Sequence, residues 1–168
     1  MLFWLTLPFL FSQILAILAM ISDLIAFQMK KREYILYFGI FTVACLSLHH
    51  FLLWNTAASV ILWLAVIRYI VSVYIQDKRV LVIFLIIALV AFMFTYEKIE
   101  DFLVLFGTIF FTISVFQKDE KKLRMFTMFG LCFYILFNVL VFSPFAILAR
   151  LTVFSSNAIG YYRHHIKN

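Results

Sequence analysis

Seven long apolar blocks follow one another along the 168 residues of this chain, with only short polar breaks between them. A helix needs roughly 20 apolar residues to cross the hydrocarbon of a bilayer. The blocks place spans near 8–27, 34–53, 57–75, 80–96, 101–117, 123–142 and 145–162. Helices satisfy every backbone N–H and C=O locally, which lipid demands. Barrel strands are excluded, because the blocks lack two-residue alternation and are about twice as long as a membrane strand. Hydrophobic residues make up 66% of the chain and charged residues 13%, which leaves no segment able to fold as a soluble domain. The expected class is an all-α, seven-transmembrane-helix bundle in one integral domain over 1–168, with the lipid bilayer as its first partner. The first 29 residues hold no Lys or Arg. The opening stretch therefore lacks the basic n-region of a cleavable signal peptide and is expected to remain as a membrane helix.

Loop cations decide orientation. Seven spans divide the loops into two alternating sets, one with 11 Lys and Arg residues and the other with Lys98 alone, beside Glu97, Glu100 and Asp101. The C-terminus is expected in the cytoplasm and the N-terminus outside. The net charge of +6 is accounted for by this asymmetry. A nucleic-acid partner would need a basic face outside the bilayer, and none is present. Trp4 and Trp54 fall near the outer surface and suit an interfacial belt. Cys45 and Cys132 both lie inside apolar blocks, with no metal-ligand spacing and no disulfide framework.

The breaks also repeat. An ungapped shift of 89 residues lays Phe27-Gln28 on Phe116-Gln117, each followed by a basic loop, and lays Asp23 on Thr112, His49 on Asn138 and Arg68 on Asn157. A three-helix unit ends on the side of the membrane opposite to its start, so a second copy stays parallel only if one more span inverts the chain. The expected plan is therefore 3+1+3: repeat one over 8–75, an inverting helix over 80–96, and repeat two over 101–162.

These residues resemble a known family, the YgjV-like bacterial inner-membrane proteins. The resemblance rests on Gln13, Ala19, Phe27 and the basic loop after it, His49 with Phe51-Leu52-Leu53, Arg68, Asn138 and Asn157. It implies a bacterial inner (cytoplasmic) membrane location. It also implies kinship with the PQ-loop, SWEET and PnuC transporters, in which parallel three-helix repeats enclose a solute pathway. The chain departs from the family in having His50 and Trp54 around the histidine motif, and it has no intact Pro-Gln pair in either first helix.

The candidate pathway residues are the polar and aromatic ones held within the spans. Arg68 lies about 12 Å from the cytoplasmic end at the helical rise, where an arginine costs about 2.5 kcal/mol or more to insert. It either pairs with Asp23 or binds a solute, and the two together could form an inner gate. Asn157 shares a helix face with Arg150, Phe154 and Tyr161. Arg150 follows Pro144 closely and is expected to snorkel to the outer headgroups. His49 and Asn138 lie near the outer ends of their helices, as interhelical hydrogen-bond partners or as an outer gate. Trp63 is deep enough to stack on a solute. Glycines are few (Gly39, Gly107, Gly130, Gly160) and form no GxxxG pair, so close helix crossings are expected to use Ala, Ser and Thr.

No nucleophile–base set, paired carboxylates, phosphate loop or metal cluster is present in the sequence, so neither an enzyme nor a cofactor is expected. The leading reading is a transporter or facilitator of a small polar or anionic solute. The alternative is a non-transporting scaffold, chaperone or sensor on the same fold. One chain can enclose a pathway, and a homo-oligomer is left open.

Overall fold

The computed structural model describes residues 7–167, apart from the side chains of Thr56 and Ala57; Trp4 lies outside the described residues. It consists of seven helices: α1 (Leu7–Ala26), α2 (Arg32–Leu52), α3 (Thr56–Tyr74), α4 (Lys78–Thr95), α5 (Asp101–Val115), α6 (Glu120–Leu140) and α7 (Pro144–His165). No strand occurs among the described residues. By length and composition α1, α2, α4 and α6 can each cross a membrane, whereas α5 and the Ala58–Tyr74 stretch of α3 are apolar but shorter. The helix starts are written in the sequence. Asn55, Asp77 and Asp119 each accept a backbone N–H of the first turn they precede, and Pro144 opens α7 where a missing N–H costs nothing.

Helix α2 packs on α1 and α3, α6 packs on α5 and α7, and α4 docks on α5; lighter contacts join α1 to α7 and α3 to α5. Small hydroxyl side chains tie the neighbours together. Ser22 donates to the Phe38 carbonyl at 2.9 Å, Ser47 to that of Ser59 at 2.9 Å, and Ser114 to that of Leu123 at 2.8 Å. Glycine contributes more than the missing GxxxG pair suggests. Gly107 on α5 and Gly130 on α6 face each other, and a Cβ on either would come within 3.3 Å of the other's carbonyl oxygen.

The uniform offset of 89 does not hold along the chain. α1 ends at Ala26 and α5 at Val115, 89 residues on, but α2 and α6 begin 88 apart, at Arg32 and Glu120, and so do α3 and α7. The loop 116–119 is one residue shorter than 27–31. Beyond it the two turns agree bond for bond at 88. Leu53, Trp54 and Asn55 donate their N–H groups to His49, Phe51 and His50, as Val141, Phe142 and Ser143 do to Phe137, Val139 and Asn138. Trp54 and Phe142 share the left-handed backbone, with φ of 61° and 53°. At that offset Arg68 falls on Ser156 and Tyr69 on Asn157, so the 89-residue pairing of Arg68 with Asn157 does not carry through to α3 and α7.

The apolar core is concentrated at the end bearing the basic loops. Phe27, Ile35, Leu36, Val115, Phe116 and Leu123 are buried there, with Val80, Leu81 and Phe84 of α4 packed against them. Two arginines complete this closure, each from the second or sixth helix and each directed at the far side of the bundle. Arg32 of α2 donates to the carbonyls of Val115 (2.8 Å) and Gln117 at the end of α5, and to that of Ser72 (2.7 Å) on α3. Arg124 of α6 donates to the carbonyls of Phe27 (2.7 Å) and Met29 at the end of α1, and to its own Glu120. Carbonyls at a helix C-terminus lack partners and carry the negative end of the helix dipole, so a guanidinium satisfies both needs. Gly160 lets α7 reach this point: a Cβ there would lie 2.0 Å from the Phe27 carbonyl oxygen and 2.5 Å from the Arg124 Nη1.

Two substitutions test the closure. Gly160→Ala is expected to lower the thermal midpoint in detergent, with an overpacking cost of about 1–3 kcal/mol. Arg124→Ala should cost about 3–5 kcal/mol, because it leaves Glu120 with His165 as its one ionic partner and strips the Phe27 and Met29 carbonyls of their donor. Thermal unfolding of the purified variants measures both.

A charged cavity at the centre of the helix bundle

All seven helices contribute walls to a cavity of about 280 Å³. It begins near Phe27, Asp23 and Tyr69 above the basic-end core, and extends to Ile61, Thr95 and Val104 toward the opposite end. The wall is mostly apolar. Its polar members are Asp23, Thr42, Arg68, Tyr69, Thr95, Thr108, Tyr134 and Arg150.

Their positions follow from helix geometry. Asp23 is one turn before the end of α1 and shares the cavity wall with Thr42 of α2, whose hydroxyl donates to the Ala19 carbonyl at 3.3 Å. Arg68 crosses to α5, where its Nη1 donates to the Thr112 hydroxyl at 2.7 Å and Thr112 in turn donates to the Thr108 carbonyl at 2.7 Å. The Arg68 Nε is buried and has no acceptor. Its guanidinium also lies 5.8 Å from the Tyr69 ring. Tyr134 shares a 2.9 Å hydrogen bond with Thr108 and presents its ring to Arg150 at 5.2 Å. Arg150 is thus turned inward, and the snorkelling expected of it is not seen. Six residues from Pro144 define its depth, whereas its direction depends on α6 offering an aromatic face.

The expected Asp23–Arg68 ion pair is not formed. Among the described residues the ion pairs within 4.0 Å are Glu120 with Arg124 and Glu120 with His165. The cavity therefore holds one carboxylate and two guanidinium groups without a contact pair among them.

The other sequence candidates lie elsewhere. Asn157 is fully buried and donates from Nδ2 to the Arg124 carbonyl at 3.0 Å, fixing α7 to α6, and its Oδ1 has no partner. Phe154 packs against the apolar core. The His49 Nδ1 is 2.8 Å from the Ser12 carbonyl oxygen, which joins α2 to α1. Asn138 is buried, and its backbone carbonyl accepts the Ser143 N–H that closes the α6–α7 turn. Trp63 is 44% exposed on the outside of α3 and is not part of the cavity wall. Sequence reasoning missed Tyr69, Tyr134, Thr42 and Thr108 as lining groups. A tyrosine or threonine within an apolar span carries little signal, since either is common at lipid and packing positions.

The two arginine classes differ in what they do for stability. Arg68→Leu and Arg150→Leu are expected to leave the thermal midpoint unchanged or to raise it, because each removes a half-buried charge held within the bundle by few bonds. This is the opposite of the result expected for Arg124→Ala, and the same unfolding assay compares them.

The family model Imp-YgjV, described as bacterial inner membrane protein, matches residues 10–168. No curated protein and no solved structure matches the chain. With a match that runs through all seven helices, the chain belongs to the Imp-YgjV family of bacterial inner membrane proteins.

Proposed function

We propose that this protein is a transporter or facilitator of a small solute, and not an enzyme, and that it works by alternating access between two parallel three-helix repeats related to those of PQ-loop and SWEET proteins. The observation that carries this reading is the central cavity, walled by every helix and holding charged side chains with no contact ion pair. Buried ionisable groups in a membrane protein are costly and mark solute or ion pathways. A protein that used them only for architecture would be expected to occupy their donors, as Arg32 and Arg124 each do with three hydrogen bonds.

Several features support the repeat arrangement. The packing of α1, α2 and α3 is echoed by that of α5, α6 and α7, with α4 left over as the inverting span. The identical turn hydrogen bonds at an offset of 88 point the same way. So do sequence matches in that register: Phe38 with Phe126, Phe41 with Phe129, Leu48 with Leu136, Leu52 with Leu140, Ala58 with Ala146 and Tyr74 with Tyr162. The positive-inside rule supports the basic end as cytoplasmic. In that frame, a cavity reaching toward Thr95 and closed near Phe27 corresponds to an outward-facing state. Arg32 and Arg124 then act as a crossed latch on the inner side. Rocking one triplet against the other would exchange their carbonyl partners for water.

Side-specific labelling tests the reading. In a Cys45→Ser, Cys132→Ser background, Ala65→Cys places a thiol on the cavity wall. A membrane-impermeant maleimide is expected to reach it from both faces of oriented vesicles, faster from the acidic-loop face. Arg32→Gln or Arg124→Gln should raise the rate from the basic face. Labelling confined to one face in all of these backgrounds would contradict alternating access.

A further inference from the structure

The arginines within the bundle differ in how fully they use their donors. Arg32 makes three hydrogen bonds to backbone carbonyls. Arg124 makes three, to two carbonyls and a carboxylate. Each thus places three of its five N–H donors. Arg68 makes one, and its buried Nε has no acceptor. Arg150 makes none among the described residues, and its contact is the face of Tyr134. Both unsaturated arginines line the same cavity. Burying the Arg68 Nε without an acceptor is unfavourable, more so for a charged group, and the half-buried Arg150 holds its charge at the cavity wall with no hydrogen bond among the described residues. Their natural complement is an anion with at least two acceptor oxygens, which a guanidinium grips through parallel bonds.

Charge and shape narrow the class. Arg68 and Arg150 against Asp23 leave one positive charge in excess when the carboxylate is ionised. A monoanion makes the assembly neutral, the least costly state to hold within lipid. A dianion would leave an excess negative charge facing Asp23. The volume of about 280 Å³ lies at the small end of ligand sites and suits one ring or a short chain. Phe27, Phe84, Phe92 and Phe111 supply an apolar wall for such a body.

We infer that the solute is a small organic monoanion, its carboxylate-type head held between Arg68 and Arg150 and its apolar body against the phenylalanine wall. Asp23 limits the accepted charge to one. This rests on the transport reading for its physiological meaning, while the binding itself can be measured alone.

The test is a charge series on a single ring, with benzoate, terephthalate and benzamide titrated into the purified full chain by thermal shift and calorimetry, and hexanoate as the aliphatic monoanion. Benzoate or hexanoate should bind saturably, with benzamide and terephthalate weaker by about tenfold or more, the size expected for losing a charge-assisted bond. Arg68→Gln and Arg150→Gln should each weaken the monoanion by a similar factor, while Arg68→Lys and Arg150→Lys, which keep the charge and the fold, retain part of the binding. Asp23→Asn should move the preference toward terephthalate. Several results would overturn the inference: benzamide binding as well as benzoate, Arg150→Gln leaving the monoanion unaffected, Asp23→Asn leaving terephthalate as weak as before, or neither monoanion binding. Two-faced labelling of the cavity without monoanion binding would remove this inference and leave the transport reading intact. Tight monoanion binding with one-faced labelling would do the reverse.

Discussion

A guanidinium inside a bilayer has nowhere to send its donors except to the protein, and this constraint organises the molecule. Where the chain offers bare carbonyls at helix ends, arginine is spent on architecture. Arg32 and Arg124 are used in this way, Arg32 of α2 holding the end of α5 and Arg124 of α6 holding the end of α1. Where the chain offers few acceptors, the donors stay available, as at Arg68 and Arg150. The same residue type thus divides into a structural pair at the basic end and a second pair facing the central cavity.

This division explains why the bundle is closed at one end. Two crossed guanidinium bridges and a cluster of Phe27, Val115, Phe116 and Leu123 hold the basic end together. Beyond them the helices are held by isolated hydroxyl bonds and glycine contacts, and the space between them remains open as far as Thr95. Helix α4, which has no buried residue, covers one side of that space. A weakly held span beside a cavity is suited to motion, since regions with few buried contacts open at the lowest cost.

Much of the fold is legible in the residues, because the thickness of the hydrocarbon sets helix length and polar breaks mark the ends. The limits of α2, α3, α4 and α6 lie within a few residues of those read from the breaks. The register of the internal offset is less legible. Loop 116–119 is one residue shorter than 27–31, and one residue turns a helix position by about 100°, so a uniform offset of 89 lays Asn157 on Arg68 where the helix starts lay Ser156 on it. Asp23 and Arg68 are legible as cavity residues because a charge within an apolar span is too costly to leave facing lipid. Arg150 is not, since distance from Pro144 measures depth and says nothing of direction. Arg124 counts among the loop cations in the sequence, yet it sits a full turn inside α6. Its carbonyl acceptors belong to Phe27 and Met29, 97 and 95 positions earlier, a pairing that no local pattern encodes.

Hydrogen exchange by mass spectrometry measures the asymmetry between the two ends most directly. If the crossed arginines lock the basic end, amides in 24–31 and 113–119 should exchange far more slowly than those in 53–55, 96–100 and 141–143. Equal protection at both ends, or faster exchange at the arginine-capped ends of α1 and α5, would contradict the account.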